Sequence, residues 1–134
     1  MKLLVLLIPL FSAFASEQIE RFFIIDKQVQ FKKIDGLLVS KDCWTKNCDV
    51  FKINPHQLNF YHVEQHLNGG TSPGVVLCKH KLKNEISVGY QYKTQKQRVF
   101  CTMNDGSYIT QGSLQFLKQR TGKPPRIKAN KGIN

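Results

Sequence analysis

Two histidines, His62 and His66, have the spacing that comes nearest to metal chemistry. They lie four positions apart in a segment, residues 55–69, that we predict to be a helix, so both imidazoles lie on one side of it. Glu64 lies between them and points elsewhere, so the pattern is not the H-E-x-x-H of a zinc protease. The predicted apolar face of this helix carries Phe60, Val63 and Leu67. We therefore expect exposed histidines, no metal site and no cofactor.

The second group with chemical potential is the four cysteines, Cys43, Cys48, Cys78 and Cys101. An even number in a small exported domain predicts two disulfides, which would leave no free thiol to act as a nucleophile. Three pairings are possible, and the spacing favours 43–48, around a tight loop that exposes Trp44, together with 78–101. Four residues between Cys43 and Cys48 do not make the C-x-x-C of a thiol oxidoreductase. The sequence also lacks the paired C-x-x-C knuckles of a zinc site.

No other residues form a catalytic pattern. Glu17 and Glu20 lie at the start of the predicted mature chain, and the aspartates fall at predicted turns or strand edges. Gly69 and Gly70 are not followed by the Gly-Lys-Ser/Thr of a phosphate-binding loop. The sequence therefore nominates no catalytic residue, and an enzyme stays an open alternative.

The N-terminus predicts export. Met1 and Lys2 give a short positive start, an apolar run follows to Phe11, and Ala13 and Ala15 fit the A-x-A pattern of a signal-peptidase site. The run is shorter than the roughly 20 residues that span a bilayer, and no later run is long enough. We predict a signal peptide over residues 1–15 and a periplasmic or secreted product with no transmembrane segment.

The charge of the chain is strongly uneven. The 134 residues carry a formal charge of +11. Residues 16–68 hold seven Lys and Arg against seven Asp and Glu, whereas residues 69–134 hold twelve against two, a net charge of +10. We predict anion binding by a hairpin tip and a flexible basic tail over residues 121–134. The predicted anion-binding residues are Lys93, Lys96, Arg98, Arg120, Lys123, Arg126, Lys128 and Lys131.

In the first half of the chain, hydrophobic patterning predicts strands. Residues 19–25 are apolar and rich in β-branched and aromatic side chains, and Val29 and Phe31 alternate with polar residues. Asp35-Gly36 is a hairpin turn signal before the apolar residues 37–39. Residues 50–53 read as another strand, ahead of the helix predicted over residues 55–69.

In the second half, Ser72-Pro73 predicts the start of a helix whose buried face includes Cys78. Alternating apolar residues from Ile86 to Tyr92 predict a half-buried strand. The next strand, residues 99–103, presents Cys101 on its apolar side, which supports the 78–101 pairing independently of spacing. Asp105-Gly106 predicts a turn, and Ser113 caps a last short helix that Gly122 ends.

These residues carry a resemblance to a known family. Gly69-Gly70, Ser72-Pro73, Cys78 and the run from Cys101 to Ser107 resemble small exported bacterial domains that are commonly labelled hemolysins, whose function is unknown. The resemblance covers residues 69–117. It implies an exported domain in which a helix packs on a small antiparallel sheet, with the 78–101 cysteine spacing, and it implies no catalytic residues. Ser72 and Gly74 depart from the Asn and Ala of the family pattern.

We therefore expect an α+β fold in which short helices pack on one face of a small antiparallel sheet held by disulfides. Residues 16–68 would form a β-rich part with one helix, and residues 69–120 the part that resembles the family. The predicted function is a monomeric binding module for an anionic polymer or an acidic protein surface, without sequence-specific recognition of nucleic acid. Three alternatives remain: a partner-binding, inhibitory or structural protein that acts through the loop around Trp44, charge that serves solubility alone, and an uncharacterised enzyme.

Overall fold

The computed structural model describes residues 18–121, in which six antiparallel strands form a closed barrel. Around the barrel the strand order is β1, β2, β3, β6, β5, β4. The strands are β1 (Glu20–Ile24), β2 (Lys27–Ile34), β3 (Leu37–Ser40), β4 (Glu85–Gln91), β5 (Gln97–Thr102) and β6 (Tyr108–Thr110). The predicted signal peptide, and the predicted tail beyond Thr121, lie outside the described residues.

Tight turns connect the neighbouring strands β1–β2 and β2–β3. Asp35 and Gly36 have φ values of 52° and 82°, the left-handed conformation that a two-residue hairpin turn requires. Ile25 and Asp26 form the β1–β2 turn with φ values of 50° and 60°. The predicted turn at residues 35–36 and the strands on both sides of it are confirmed.

The barrel closes through pairings between residues that are distant in sequence. β1 pairs with β4, where Ile24 lies opposite Gly89, and β3 pairs with β6, where Val39 lies opposite Ile109. Strands from both sides of position 68 therefore form a single barrel. The predicted antiparallel sheet with short helices is confirmed, but its edges meet, so the sheet has an inside and an outside instead of two open faces.

The pairing of β3 with β6 is short and is extended by serine hydroxyls. Val39 and Ile109 are its one pair in register. On either side of this pair the Leu38 N–H donates to Ser113 Oγ at 2.8 Å, and the Tyr108 N–H donates to Ser40 Oγ at 2.8 Å. The hydroxyls thus satisfy backbone groups that a longer ladder would pair. We call these contacts the β3–β6 junction.

Three phenyl rings fill the inside of the barrel. Phe22, Phe31 and Phe100 are fully buried, with ring centroids 4.8–5.4 Å apart. Gly89 faces them from β4, where a Cβ atom would lie 2.8 Å from Phe100 Cε2 and 2.8 Å from Ile24 Cγ1. β4 can therefore place only a glycine at this position.

A second apolar core lies outside the barrel, between β3, β5 and β6 and the helices. The helices are α1 (Pro73–Val76), which continues as a π-helical turn over Leu77–Lys81, and α2 (Gln111–Thr121). Cys78 and Cys101 are both fully buried in this core and form a disulfide with a Cα–Cα distance of 5.7 Å. The predicted helix start at Pro73 and the 78–101 pairing are confirmed.

Helix α2 begins two residues before the predicted cap. Thr110 Oγ1 accepts a hydrogen bond from the Ser113 N–H at 3.2 Å, so Thr110 is the capping residue. The prediction that Ser113 caps this helix is therefore wrong. The Ser113 hydroxyl instead lies at the β3–β6 junction, where it accepts hydrogen bonds from the Leu38 N–H and from Thr110 Oγ1.

Residues 41–67 contain short 3-10 helices where a strand and a longer helix were predicted. The 3-10 helices are Lys41–Cys43, Asp49–Lys52, Pro55–Gln57 and Glu64–Leu67. The strand predicted at residues 50–53 and the helix predicted at residues 55–69 are therefore wrong. Every strand of a closed barrel already has two neighbours, so residues 50–53 find no sheet edge to pair with.

The first part of residues 41–67 is fixed at two points. Cys43 and Cys48 form the second predicted disulfide, with a Cα–Cα distance of 5.1 Å. The Asp49 N–H donates to Asp105 Oδ2 at 2.8 Å, and the Asp105 N–H donates to Asp49 Oδ2 at 3.2 Å. Burial raises the pKa of Asp105, but hydrogen bonds from Ser107 and from the Asp49 N–H outweigh it, so that its pKa lies below the usual value.

Candidate anion-binding surface

The turn between β4 and β5 holds two of the predicted anion-binding residues. Lys93 and Lys96 are both exposed in this turn. The Gln91 N–H donates to the Lys96 carbonyl at 2.9 Å, and the Gln95 N–H donates to the Gln91 carbonyl at 2.9 Å. Thr94 Oγ1 adds a hydrogen bond to Gln91 Oε1 at 2.8 Å. The turn is therefore internally hydrogen-bonded, which holds the two lysine backbones in a fixed relation.

Arg98 completes a group of three cations on this hairpin. It lies on β5 opposite Gly89, and its guanidinium carbon is 6.0 Å from the centroid of the Phe22 ring. This distance is the outer limit of a cation–π contact. Arg98 is exposed, so its charge faces solvent at the same hairpin as the lysines. We call Lys93, Lys96 and Arg98 the basic tip.

The outer surface of β1 and β4 beside the basic tip is apolar. Phe23 lies opposite Tyr90 in register, and the ring centroids of Phe23 and Tyr92 are 5.7 Å apart. The Tyr92 N–H donates to the Arg21 carbonyl at 3.1 Å, which extends the β1–β4 pairing by one residue. The exposed large apolar residues on this surface are Phe23, Ile25, Val88, Tyr90 and Tyr92. We call these five residues the apolar face.

The apolar face is the reverse of what alternation along β4 predicts. The period of two is confirmed, but Val88 and Tyr90 point outward and are exposed, whereas Gly89 is buried. The phenyl rings inside the barrel leave space only for the glycine. Large contiguous apolar patches are uncommon on the surfaces of soluble proteins, and many of those that occur are interaction sites.

Charged residues lie at both ends of the apolar face. A cleft of about 350 Å³ lies where β1 begins and β4 ends. It is lined by Ile19, Glu20, Arg21, Gln91, Tyr92 and Lys93. At the other end of β1, Asp26 and Lys27 lie at the exposed β1–β2 turn. The surroundings are thus of mixed sign beside the barrel strands, and basic at the tip.

Trp44 does not extend from its disulfide loop as predicted. Its ring is half-buried and packs against the core between the barrel and the helices. Lys32 Nζ lies 4.6 Å from the ring centroid. The indole Nε1 is buried and has no hydrogen-bond partner within residues 18–121. The ring is therefore largely occupied by contacts within the protein, and the expectation of an exposed Trp44 is wrong.

The histidines are arranged differently from the prediction. Because residues 55–69 form no continuous helix, His62 and His66 do not share a helix face, and His62 has a φ of 68°. His66 instead stacks on His80, with ring centroids 3.6 Å apart and an interplanar angle of 6°. Burial lowers the pKa of His80, as do the nearby charges of His66, Lys79 and Lys83. Residues 18–121 contain no group of three or more His, Cys, Asp or Glu side chains that could hold a metal ion.

The remaining predicted anion-binding residues lie away from the tip or outside the described residues. Arg120 Nη1 donates to the Asp35 carbonyl at 2.8 Å, which places this side chain at the β2–β3 turn. Lys123, Arg126, Lys128 and Lys131 lie outside the described residues. The hairpin therefore brings together three of the eight predicted residues.

Comparisons with protein-family models, curated proteins and solved structures give no match to this chain. The resemblance to the hemolysin-labelled domains therefore stays a prediction. Within residues 18–121, no helix has the length and apolar character needed to cross a membrane. The two disulfides fit an oxidising compartment, as in a periplasmic or extracellular protein.

Proposed function

We propose that the protein is a non-catalytic binding module that attaches to anionic polymers or surfaces of the cell envelope through the basic tip. The observation that carries the proposal is the charge of one hairpin. Residues 86–104 include Lys93, Lys96 and Arg98 and no Asp or Glu. Within residues 18–121 none of these three cations forms a salt bridge. Their charge is therefore not neutralised by a carboxylate of the described chain.

Contrast with other lysines supports the basic tip as the binding site. Lys46 Nζ lies 2.7 Å from Asp35 Oδ2, and Lys52 Nζ lies 3.7 Å from Asp49 Oδ1. These two charges are partly balanced by their neighbours. The hydrogen-bonded turn holds the backbones of Lys93 and Lys96 in a fixed relation, and Arg98 follows two residues later on the same hairpin. Like charges grouped on one hairpin attract an extended polyanion more strongly than scattered charges do.

The alternative of a partner-binding loop around Trp44 has less support. Its ring is half-buried and lies beside Lys32, so insertion into a partner would require the ring to leave its present contacts. Binding anchored by a buried aromatic residue also depends weakly on ionic strength, whereas capture by surface charge weakens steeply with salt.

The experiment compares two triple variants that remove equal charge. In the first, Lys93, Lys96 and Arg98 are changed to glutamine. In the control, Lys33, Lys41 and Lys79 are changed to glutamine, and these lysines are exposed on other elements. Retention on immobilised heparin is measured against salt for both and for the unchanged protein. We expect the first variant to elute earlier than the control and with a shallower salt dependence, because each lost contact releases about one counterion fewer.

Equal elution of the two triple variants would overturn the basic tip as the binding site. A chain that ends at Thr121 tests the predicted tail separately. Earlier elution of this shortened chain would show that residues 122–134 add to binding. If every variant elutes with the unchanged protein below about physiological salt, the charge serves solubility alone.

A further inference from the structure

The β1–β2 turn places an unusual residue in the left-handed conformation. Ile25 has a φ of 50°, in a region that disfavours branched side chains because Cβ approaches the following carbonyl oxygen. A turn of this type usually has Asn, Asp or Gly at its first central position. The Ile25 side chain is 82% exposed, so packing within the protein does little to offset the strain. A strained and exposed apolar residue is better explained by a contact outside the chain.

Ile25 belongs to a larger apolar surface. It directly follows β1, whose exposed Phe23 lies opposite Tyr90, and the other exposed apolar residues beside it are Val88 on β4 and Tyr92 directly after β4. The surface therefore combines two aliphatic residues at one end with aromatic rings toward the basic tip. Tyrosine, with an apolar ring and a polar hydroxyl, suits the boundary between hydrocarbon and water.

We propose that the apolar face lies flat in the interfacial layer of an anionic phospholipid bilayer, so that the β1–β2 turn and the basic tip, at opposite ends of β1 and β4, both reach its surface. The proposal rests on the proposed function, because the basic tip supplies the attraction to the negative surface. Lys93 lies directly after Tyr92, and Arg21 lies beside Tyr92 on β1. These two cations are placed to contact lipid headgroups while the rings contact the acyl boundary.

Two acidic residues oppose this contact, and their positions limit its depth. Asp26 shares the β1–β2 turn with Ile25 and precedes Lys27, and Glu20 lines the cleft that also contains Arg21. Lys27 follows Asp26 at the exposed turn, whereas Glu20 Oε2 is buried and has no hydrogen-bond partner within residues 18–121. We infer shallow insertion of the Ile25 side chain rather than burial of the whole turn.

Other occupants use less of the surface. A soluble polyanion such as heparin would contact the basic tip but leave Ile25 and Val88 in water. A single-stranded nucleic acid could stack bases on Tyr90 and Tyr92, but it would also leave the aliphatic end unused. A bilayer accommodates the aromatic residues, the aliphatic residues and the cations together.

The test uses the exported protein, its N-terminus established by mass spectrometry, and vesicles of phosphatidylcholine with about one third phosphatidylglycerol. The main variant is Ile25→Asn, because asparagine tolerates the left-handed conformation and is polar. We expect the partition coefficient of this variant into these vesicles to fall about tenfold, because the bilayer no longer buries the apolar side chain of isoleucine. Its retention on heparin should be unchanged and its thermal midpoint equal or higher. A purely structural role for Ile25 would not give this combination.

The matched control is Tyr61→Asn, which removes another strongly exposed apolar side chain that belongs to neither β1 nor β4. We expect it to partition like the unchanged protein. Equal partition of Ile25→Asn and the unchanged protein, with heparin retention intact, would overturn the bilayer proposal and leave the proposed function standing. If the unchanged protein binds neither heparin nor the vesicles, both the bilayer proposal and the proposed function are overturned.

Two further results would also overturn the bilayer proposal. One is a concentration-dependent dimer that Ile25→Asn abolishes, which would show that a second copy covers the apolar face. The other is saturable binding of single-stranded DNA by the unchanged protein, if Tyr90→Ala weakens this binding and leaves vesicle binding unchanged.

Discussion

Replacing Ser113 with alanine should destabilise the barrel where β3 meets β6. The Ser113 hydroxyl accepts hydrogen bonds from the Leu38 N–H at 2.8 Å and from Thr110 Oγ1 at 2.7 Å. All three residues are buried. The substitution leaves the Leu38 N–H without an acceptor at a point where the strand ladder supplies none.

The size of the effect follows from these contacts. An unpaired buried N–H costs about 1–3 kcal/mol. Alanine is a better helix former than serine, which returns about 0.5 kcal/mol in α2. We therefore expect the free energy of unfolding to fall by about 1.5 kcal/mol, which for a domain of this size corresponds to a decrease of about 6 °C in Tm.

Fluorescence of Trp44, the one tryptophan of the chain, follows unfolding in urea with both disulfides intact. Ser87→Ala is the control, because within residues 18–121 the Ser87 hydroxyl pairs only with Thr102 Oγ1, at 2.6 Å. Its loss leaves no backbone group unpaired and should cost about 0.5–1 kcal/mol. If Ser113→Ala is no more destabilising than Ser87→Ala, then the Ser113 hydroxyl does not support the junction.

Three other predictions concern stability. Gly89→Ala should lower the free energy of unfolding by about 1–3 kcal/mol in urea titrations, because the added methyl group would lie 2.8 Å from Phe100 Cε2; no loss would show that the ring can move aside. Replacing both Cys78 and Cys101 with serine opens a link across 23 residues and should cost about 3 kcal/mol, measured against the oxidised parent. Because the folded pKa of His80 is lowered from 6.5, its contribution to stability is complete above that pH and is lost as the pH falls through the folded value. The Tm should therefore fall as the pH is lowered from neutral through 6.5 and on through the folded value, and His80→Gln should reduce this dependence.

The parts of the fold that could be predicted from the sequence depend on local patterns. The strands around the turn at residues 35–36 were predictable because alternation and turn chemistry act within a few positions. The 78–101 disulfide was predictable because each cysteine lies on the apolar side of its own element. β6 was missed, since Tyr108–Thr110 is too short to show a period.

Other features depend on contacts between residues that are distant in sequence. Closure of the barrel requires β1 to pair with β4, and no local pattern encodes that choice. Closure also explains why residues 50–53 form no strand. Their β-branched and aromatic side chains favour a strand, but every strand of the barrel is already paired on both sides. Tertiary structure therefore overrides local preference in this segment.

Of the candidate surface, the basic tip could be predicted from the sequence and the apolar face could not. Spacing and charge identified the basic tip, because its residues lie on one hairpin. The apolar face could not be found in this way, since Phe23 and Tyr92 are far apart in sequence and alternation gives the period of β4 but not which side is buried. The glycine between Val88 and Tyr90 was the available signal, because a position crowded by other side chains leaves space for a glycine alone.

The phenyl rings inside the barrel also show how this protein could be given a new property. Phe100→Ala would remove one of the three rings and should cost about 3–5 kcal/mol. The space left would be bounded by Phe22, Phe31 and Ile24, all fully or almost fully buried. Apolar cavities of roughly 150 Å³ stay dry and bind benzene. A barrel that lacks the Phe100 ring would therefore act as a host for small aromatic molecules. Binding of such a molecule would restore part of the lost stability.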